Sequence, residues 1–208
     1  MLGLSELRAG QPFRVHVCGG GVRALVLADV IRRQATVAHD LRVFVTSAFT
    51  ESISDQLNVH PVEVVDDVVD ASVFVGCVRD SRPSVEVGSL SLGSGAETTD
   101  PLALRLVLLE AEHAHPVEVD ADAVTSADET ITRWRGALAT WARSPGAPMS
   151  QTYVRRIVAA LDDLATSPAL QALHELETDP SVAGGAKFET FAYADRLLGL
   201  DLARNIGH

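Results

Sequence analysis

The stretch VHVCGGGVRALVLADVIRR, Val15 to Arg33, decides the fold class. Around its start, FRVHVC (13 to 18) alternates β-branched or aromatic residues with polar ones, the period of a strand. Three glycines follow, Gly19, Gly20 and Gly21. From Ala24 to about Ala38, Leu25, Leu27, Ala28, Ile31 and Ala35 recur at helical spacing. A strand, a glycine turn and a helix in immediate succession open a βαβ unit, and so a parallel sheet.

The next segments extend that pattern. LRVFVT (41 to 46) reads as a second strand, Thr50 to Leu57 as a short helix capped by Thr50, and SVFVGCV (72 to 78) as a third strand. PVEVVDDVV, from Pro61, fits neither period cleanly. Its carboxylates Asp66 and Asp67, with Asp70, read as a solvated turn or helix face. SVEVGSLSL (84 to 92) is one further strand or a hairpin.

Beyond Asp100 the period changes. Asp100 followed by Pro101 is an N-cap and a first helical residue, opening LALRLVLLEAEH. A longer helix spans roughly Ala121 to Arg143 and carries Ile131, Trp134, Leu138 and Trp141 on one face. SPGAP (144 to 148) is a breaker, and further helices cover about 150–164, 168–177 and 187–199. The expected architecture is α/β: a small Rossmann-like parallel sheet over 1–99, then an α-helical bundle over 100–208.

Composition narrows the function classes. The 208 residues carry a net charge of -11, with 47% hydrophobic and 22% charged residues. Nucleic-acid backbones are held by clustered Lys and Arg. Lys187 is the only lysine and no basic run exists, which argues against tRNA as a partner of this chain. No apolar run approaches the roughly 20 residues of a membrane span, and the amino-terminal segment lacks the order of a secretory signal. The expectation is a cytoplasmic protein with no membrane contact, whose oligomeric state sequence leaves open.

Candidate ligand-binding residues cluster in the opening stretch. Gly19, Gly20 and Gly21 at a helix N-terminus, with Arg23 nearby, can cradle an anion, or can simply close a tight turn. Their spacing is neither GxGxxG nor a P-loop. Cys18 and Cys77 are far apart in sequence and lack CxxC spacing, so both read as buried thiols rather than a disulfide. A zinc site at Cys18 needs partners from Cys77, His16, His60, His113 and His115. His16 alternates with Val15 and Val17 and faces away from them, and zinc is not expected. In Glu110, Glu112, His113 and His115, helical spacing pairs His113 with Glu110. Finally, Gly184 and Gly185 precede a helix with Phe188, Phe191 and Leu198 on one face. Lys187 near its N-terminus opposes the helix dipole. Lys187 and Glu189 read either as a contact to a ligand or partner, or as part of a docked terminal helix.

Several segments together resemble the cysteinyl-tRNA synthetase family of class I aminoacyl-tRNA synthetases. VHVCGGGV followed by ADVIRR is similar to VYVCGPTVYD leading through the HIGH motif into FDVLRR. SDQLNVHP (54 to 61) resembles DLDALNVLPP. SLSLGSG (89 to 95) sits where KMSKSLGN falls. DPLALRLVLLEAEH (100 to 113) is similar to DPEALRLFLLSAHY, and ALDDLATSPALQALHEL (160 to 176) to ALDDDLNTPEALAVLHEL. The cysteine ligase of mycothiol synthesis shares these motifs. The resemblance implies a Rossmann core followed by the helices after KMSKS and the start of the anticodon-binding region. It also shows departures. VRALVL leaves no room for HIGH between Gly21 and Asp29, SLSLGSG holds no lysine, and Cys18 alone matches the family's zinc ligands.

Losing one electrostatic stabiliser of a transition state costs about 10²–10³ in rate, so losing two motifs should remove adenylation. The expectation is therefore a shrunken, degenerate synthetase-like protein. It has no catalytic residue and no metal ligand, and it binds a small molecule or a protein partner through Cys18, Gly19, Gly20, Gly21, Arg23 and Lys187. The alternative is a residual ATP- and cysteine-binding ligase that makes a cysteinyl adenylate for a biosynthetic pathway, with ATP as its ligand.

Overall fold

The computed structural model describes residues 12–65, 68, 70–79, 82–96 and 100–206. Strand β1 (Phe13–Val17) leads into helix α1 (Gly21–Val37). Four strands follow: β2 (Val43–Ser47), β3 (Glu63–Val64), β4 (Val73–Val75) and β5 (Ser84–Val85). They form one parallel sheet in the order β3-β2-β1-β4-β5. This is the α/β, Rossmann-like arrangement expected from sequence. Val15 lies opposite both Val45 and Val73, so β-branched side chains make a continuous apolar surface across the three central strands.

Helix α1 is apolar almost all round. Leu25, Val26, Leu27, Ala28, Val30, Ile31 and Ala35 are all buried. It lies between the sheet and three helices of the second half, so most of its surface is covered, and the polar Arg32, Arg33 and Thr36 fall on its last turns. The valines Val26 and Val30 complete the face that the 25-28-31-35 stripe leaves open.

The second half contains β6 (Leu90–Leu92), α2 (Pro101–Glu110), β7 (Val117–Val119), α3 (Ala121–Trp141), α4 (Gln151–Asp162), α5 (Thr166–Thr178) and α6 (Gly184–Leu198). Asp100 accepts a hydrogen bond from the Leu102 amide at 3.0 Å with Pro101 at the first helical position, as its sequence predicts. Asp120 caps α3 in the same way through the Ala123 amide at 2.8 Å. Ile131, Trp134 and Leu138 are fully buried, and Trp141 stacks at a tilt on Phe191 with centroids 5.2 Å apart. One hydrophobic core runs without a break from β1 to the chain's last short 3₁₀ turn, Leu202–Asn205. No helix among the described residues is long and apolar enough to cross a membrane.

Four expectations are corrected. Thr50 to Leu57 is a series of turns, not a helix. ESISDQLN has no apolar stripe, its Ser and Asp side chains compete for backbone hydrogen bonds, and Asn58 ends it with φ 55°. Residues 84 to 92 are neither one strand nor a hairpin. The chain leaves β5 after Val85, and β6 pairs in parallel with β7 in a second, two-stranded sheet. Helix α6 begins at Gly184, so the two glycines are helical rather than a break. A Cβ on Gly185 would stand 2.1 Å from the Pro145 carbonyl oxygen, and only a glycine lets α6 lie that close to the SPGAP loop. Lastly, Cys18 and Cys77 are not separate thiols but a disulfide, with Cα atoms 5.7 Å apart. Their 59-residue separation in sequence hides the fact that β4 is the sheet neighbour of β1.

Candidate functional site

Ligands in open parallel sheets bind beyond the carboxyl ends of the strands, where strand order reverses. Here that point falls between β1 and β4. The loops leaving these strands carry Cys18, Gly19, Gly20 and Gly21 on one side, and Gly76 and Cys77 on the other.

The two loops touch along their backbones. A Cβ on Gly19 would lie 2.6 Å from the Gly76 carbonyl oxygen, and one on Gly76 would lie 1.9 Å from that of Gly19. Gly76 also has φ 80°, so both space and backbone angle require glycine there. The Cys18 amide donates to the Val75 carbonyl at 3.0 Å, and the disulfide ties the same two loops. Gly20 takes the N-cap of α1 with φ 83°, and a Cβ on it would meet Val87 at 3.2 Å. At Gly21 the nearest foreign atom is the Glu51 carboxylate, 3.6 Å from where a Cβ would sit. An anion therefore does stand near this helix N-terminus, and it belongs to the chain itself.

Arg23 is buried and turned away from the loop. Its guanidinium donates to the carbonyls of Gly88 (3.2 Å), Glu112 (2.6 Å) and His115. It fastens the α2–β7 loop to the β5–β6 connection. That loop also departs from helical spacing. Because α2 ends at Glu110, His115 pairs with Glu112 at 3.2 Å, and His113 contacts the Glu86 carbonyl at 3.0 Å. Lys187 is not brought to the crevice. Its ammonium donates to the Glu177 carbonyl at the end of α5 (2.8 Å) and lies 5.5 Å from the Trp141 ring centroid. A cation at a helix C-terminus and over an indole face is favoured twice. Glu189 is exposed.

A second polar centre is more deeply built. Asp29, on α1, is almost fully buried and accepts hydrogen bonds from Arg33 Nε (2.7 Å), Arg105 Nη2 (2.7 Å), the His60 amide (3.1 Å) and His60 Nδ1 (2.6 Å). Arg105, on α2, is wholly buried. It also donates to the carbonyls of Leu198 (2.7 Å) and Leu57 (2.8 Å). Arg33 reaches the Asn58 carbonyl at 2.8 Å, and the Asn58 side-chain amide reaches the Gly199 carbonyl at 2.9 Å. Burial alone would raise the Asp29 pKa. The His60 ring, Arg105 and Arg33 outweigh burial and hold the carboxyl well below the ordinary carboxylate range.

Every one of these side chains lies in a segment that carried the family resemblance: ADVIRR, SDQLNVHP or DPLALRL. Those motifs therefore converge on a buried ionic staple joining α1, α2, α6 and the turns before β3. Sequence reading placed none of these residues in a shared cluster. The signal available was a charged residue repeated inside otherwise apolar runs.

The SLSLGSG segment supplies β6, where Leu90, Ser91 and Leu92 pair with Val117, Glu118 and Val119. It is a strand here rather than a loop over phosphate. Zinc does not fit the donors present. Cys18 is bonded to Cys77, and no group of three or more His, Cys, Asp or Glu among the described residues could hold a metal.

No family model matches the chain. Among curated proteins, it is similar to an L-cysteine:1D-myo-inositol 2-amino-2-deoxy-α-D-glucopyranoside ligase of Streptosporangium roseum. The two are 31% identical over 108 residues, which is 50% of this chain and 26% of the relative. The protein of the same description from Cellulomonas flavigena is 29% identical over 140 residues, 62% of this chain and 33% of the relative. The chain thus spans only a quarter to a third of the length of these relatives. Over that part it is similar to enzymes named as ligases of L-cysteine.

Proposed function

We propose that this chain is a catalytically degenerate, cysteinyl-tRNA-synthetase-like protein that binds a small molecule or a protein partner and does not activate cysteine. One observation carries the reading. The crevice at the end of β1 is filled by the chain's own atoms: Gly19 against Gly76, the Cys18–Cys77 disulfide, and Glu51 beside the α1 N-terminus. The missing HIGH and KMSKS residues support it. So does the use of Arg23, the cation beside the glycine turn in sequence, on three backbone carbonyls.

Cysteine-dependent ATP–pyrophosphate exchange tests the proposal directly. Run with and without reductant, since the disulfide is one of the seals, it should stay at background in both. Thermal shift with cysteine and with a cysteinyl-sulfamoyl adenylate should give no stabilisation at millimolar ligand, because binding to the native state alone raises Tm by mass action. Cysteine-dependent exchange, or stabilisation by the adenylate analogue, would overturn the reading in favour of a residual ligase.

A further inference from the structure

A cluster of arginines lies at the other end of the sheet. Helix α1 starts beyond the carboxyl end of β1, so its last turns come back to the strands' amino ends. There it borders a cavity of about 440 Å³ lined by Arg32, Arg33, Thr36, Arg42, His60 and Arg196, among others. No carboxylate among the described residues lines it. In a chain with 28 acidic and 17 basic residues, four arginines line this one cavity, and of these only Arg33 is paired with a described carboxylate.

The donors there are unevenly committed. Arg33 is engaged by Asp29 and the Asn58 carbonyl, and His60 gives Nδ1 to Asp29. Arg32 makes only a long contact of 3.4 Å to the Pro61 carbonyl. Arg42 and Arg196 are exposed, and their guanidiniums form no hydrogen bond or ion pair with any other described residue. Arg196 complements the C-terminal end of α6. Arg42 precedes β2 and serves no helix end. The committed residues, Arg33 and His60, are held by the buried Asp29 staple and give the cavity a fixed wall. The uncommitted ones supply free guanidinium forks on its rim.

We propose that this cavity binds a small molecule bearing a phosphate or diphosphate group. Guanidinium forks match phosphate oxygens two at a time, and the volume suits a ligand of nucleotide size. The site is separate from the crevice at the end of β1, and the proposal stands whether or not that crevice is closed.

Isothermal titration calorimetry with pyrophosphate tests it, at constant ionic strength set with chloride. Wild-type protein should bind one equivalent. The Arg42→Ala/Arg196→Ala variant alters two exposed residues outside the Asp29 network, so it should keep the wild-type circular dichroism and lose only the small part of Tm owed to the α6 C-terminus. It should bind at least about tenfold more weakly, the equivalent of one charge-assisted hydrogen bond. Arg42→Lys/Arg196→Lys should recover only part of the loss, because lysine keeps the charge without the fork. Absence of binding, or undiminished binding by the alanine variant, would overturn the proposal. Tighter binding of a single-stranded RNA oligonucleotide than of pyrophosphate, lost in the same variant, would overturn it in favour of a nucleic-acid surface.

Discussion

Asp29 ties together segments far apart in the chain through Arg33, His60 and Arg105. It sits opposite a guanidinium with no solvent exposure, and removing one partner of such a pair leaves the other buried and unpaired. Asp29→Asn should therefore cost about 3–5 kcal/mol of unfolding free energy, measured by urea denaturation at neutral pH. The pH dependence follows from the depressed pKa. Below about pH 3.9, the ordinary value of an unfolded aspartate, the unfolded chain takes up a proton that the folded carboxyl still refuses. The stabilisation from Asp29 is complete above that range. It is lost progressively as the pH falls towards the folded value. The urea midpoint of the wild type should thus fall more steeply through this acid window than that of Asp29→Asn, and parallel curves would refute the assignment.

Among the elements, the short sheet of β6 and β7 owes its position to Arg23. Three backbone carbonyls from the flanking segments end on that one guanidinium. Arg23→Met keeps the apolar stem in the core and removes the donors. Amide hydrogen exchange should then rise in residues 86–93 and 112–119, while α3 to α6 stay protected, because the lost bonds lie only on that edge. This is also where sequence reading was weakest. Phe13 to Cys18, the Asp100–Pro101 start of α2 and the Trp134 face of α3 announce themselves through local period and caps. β7 has three residues, too few to show a period, and it forms because β6 and an arginine from α1 lie beside it. The same reasoning separates position from role at the candidate site. Cys18 to Gly21 and Arg23 are neighbours in sequence, so their proximity was legible. The acceptors of Arg23 lie 65 to 92 residues away, and no local pattern reveals them. The acceptor of Lys187 is a backbone carbonyl, which has no sequence signature at all.

For the whole molecule, the continuous core and the Cys18–Cys77 bond act on the same equilibrium. Closing a 59-residue loop removes about 4 kcal/mol of chain entropy from the unfolded state in the simplest treatment. Reduction, or Cys18→Ser with Cys77→Ser, should lower the urea midpoint accordingly without changing the folded-state circular dichroism. Retention of the midpoint would mean that the bond constrains neither state. The core joins β1, α1 and every later helix, so the loss should appear as one shifted transition rather than two.

Lys187 closes off an entire class of chemistry. It is the chain's sole lysine and is 8% exposed, with its ammonium engaged by Glu177 and held near Trp141. Amine-directed reagents, whether a fluorophore ester or an acetyl donor, find no reactive side chain on the folded surface. Modification at that position instead counts the molecules that have opened, which makes the protein its own covalent gauge of unfolding.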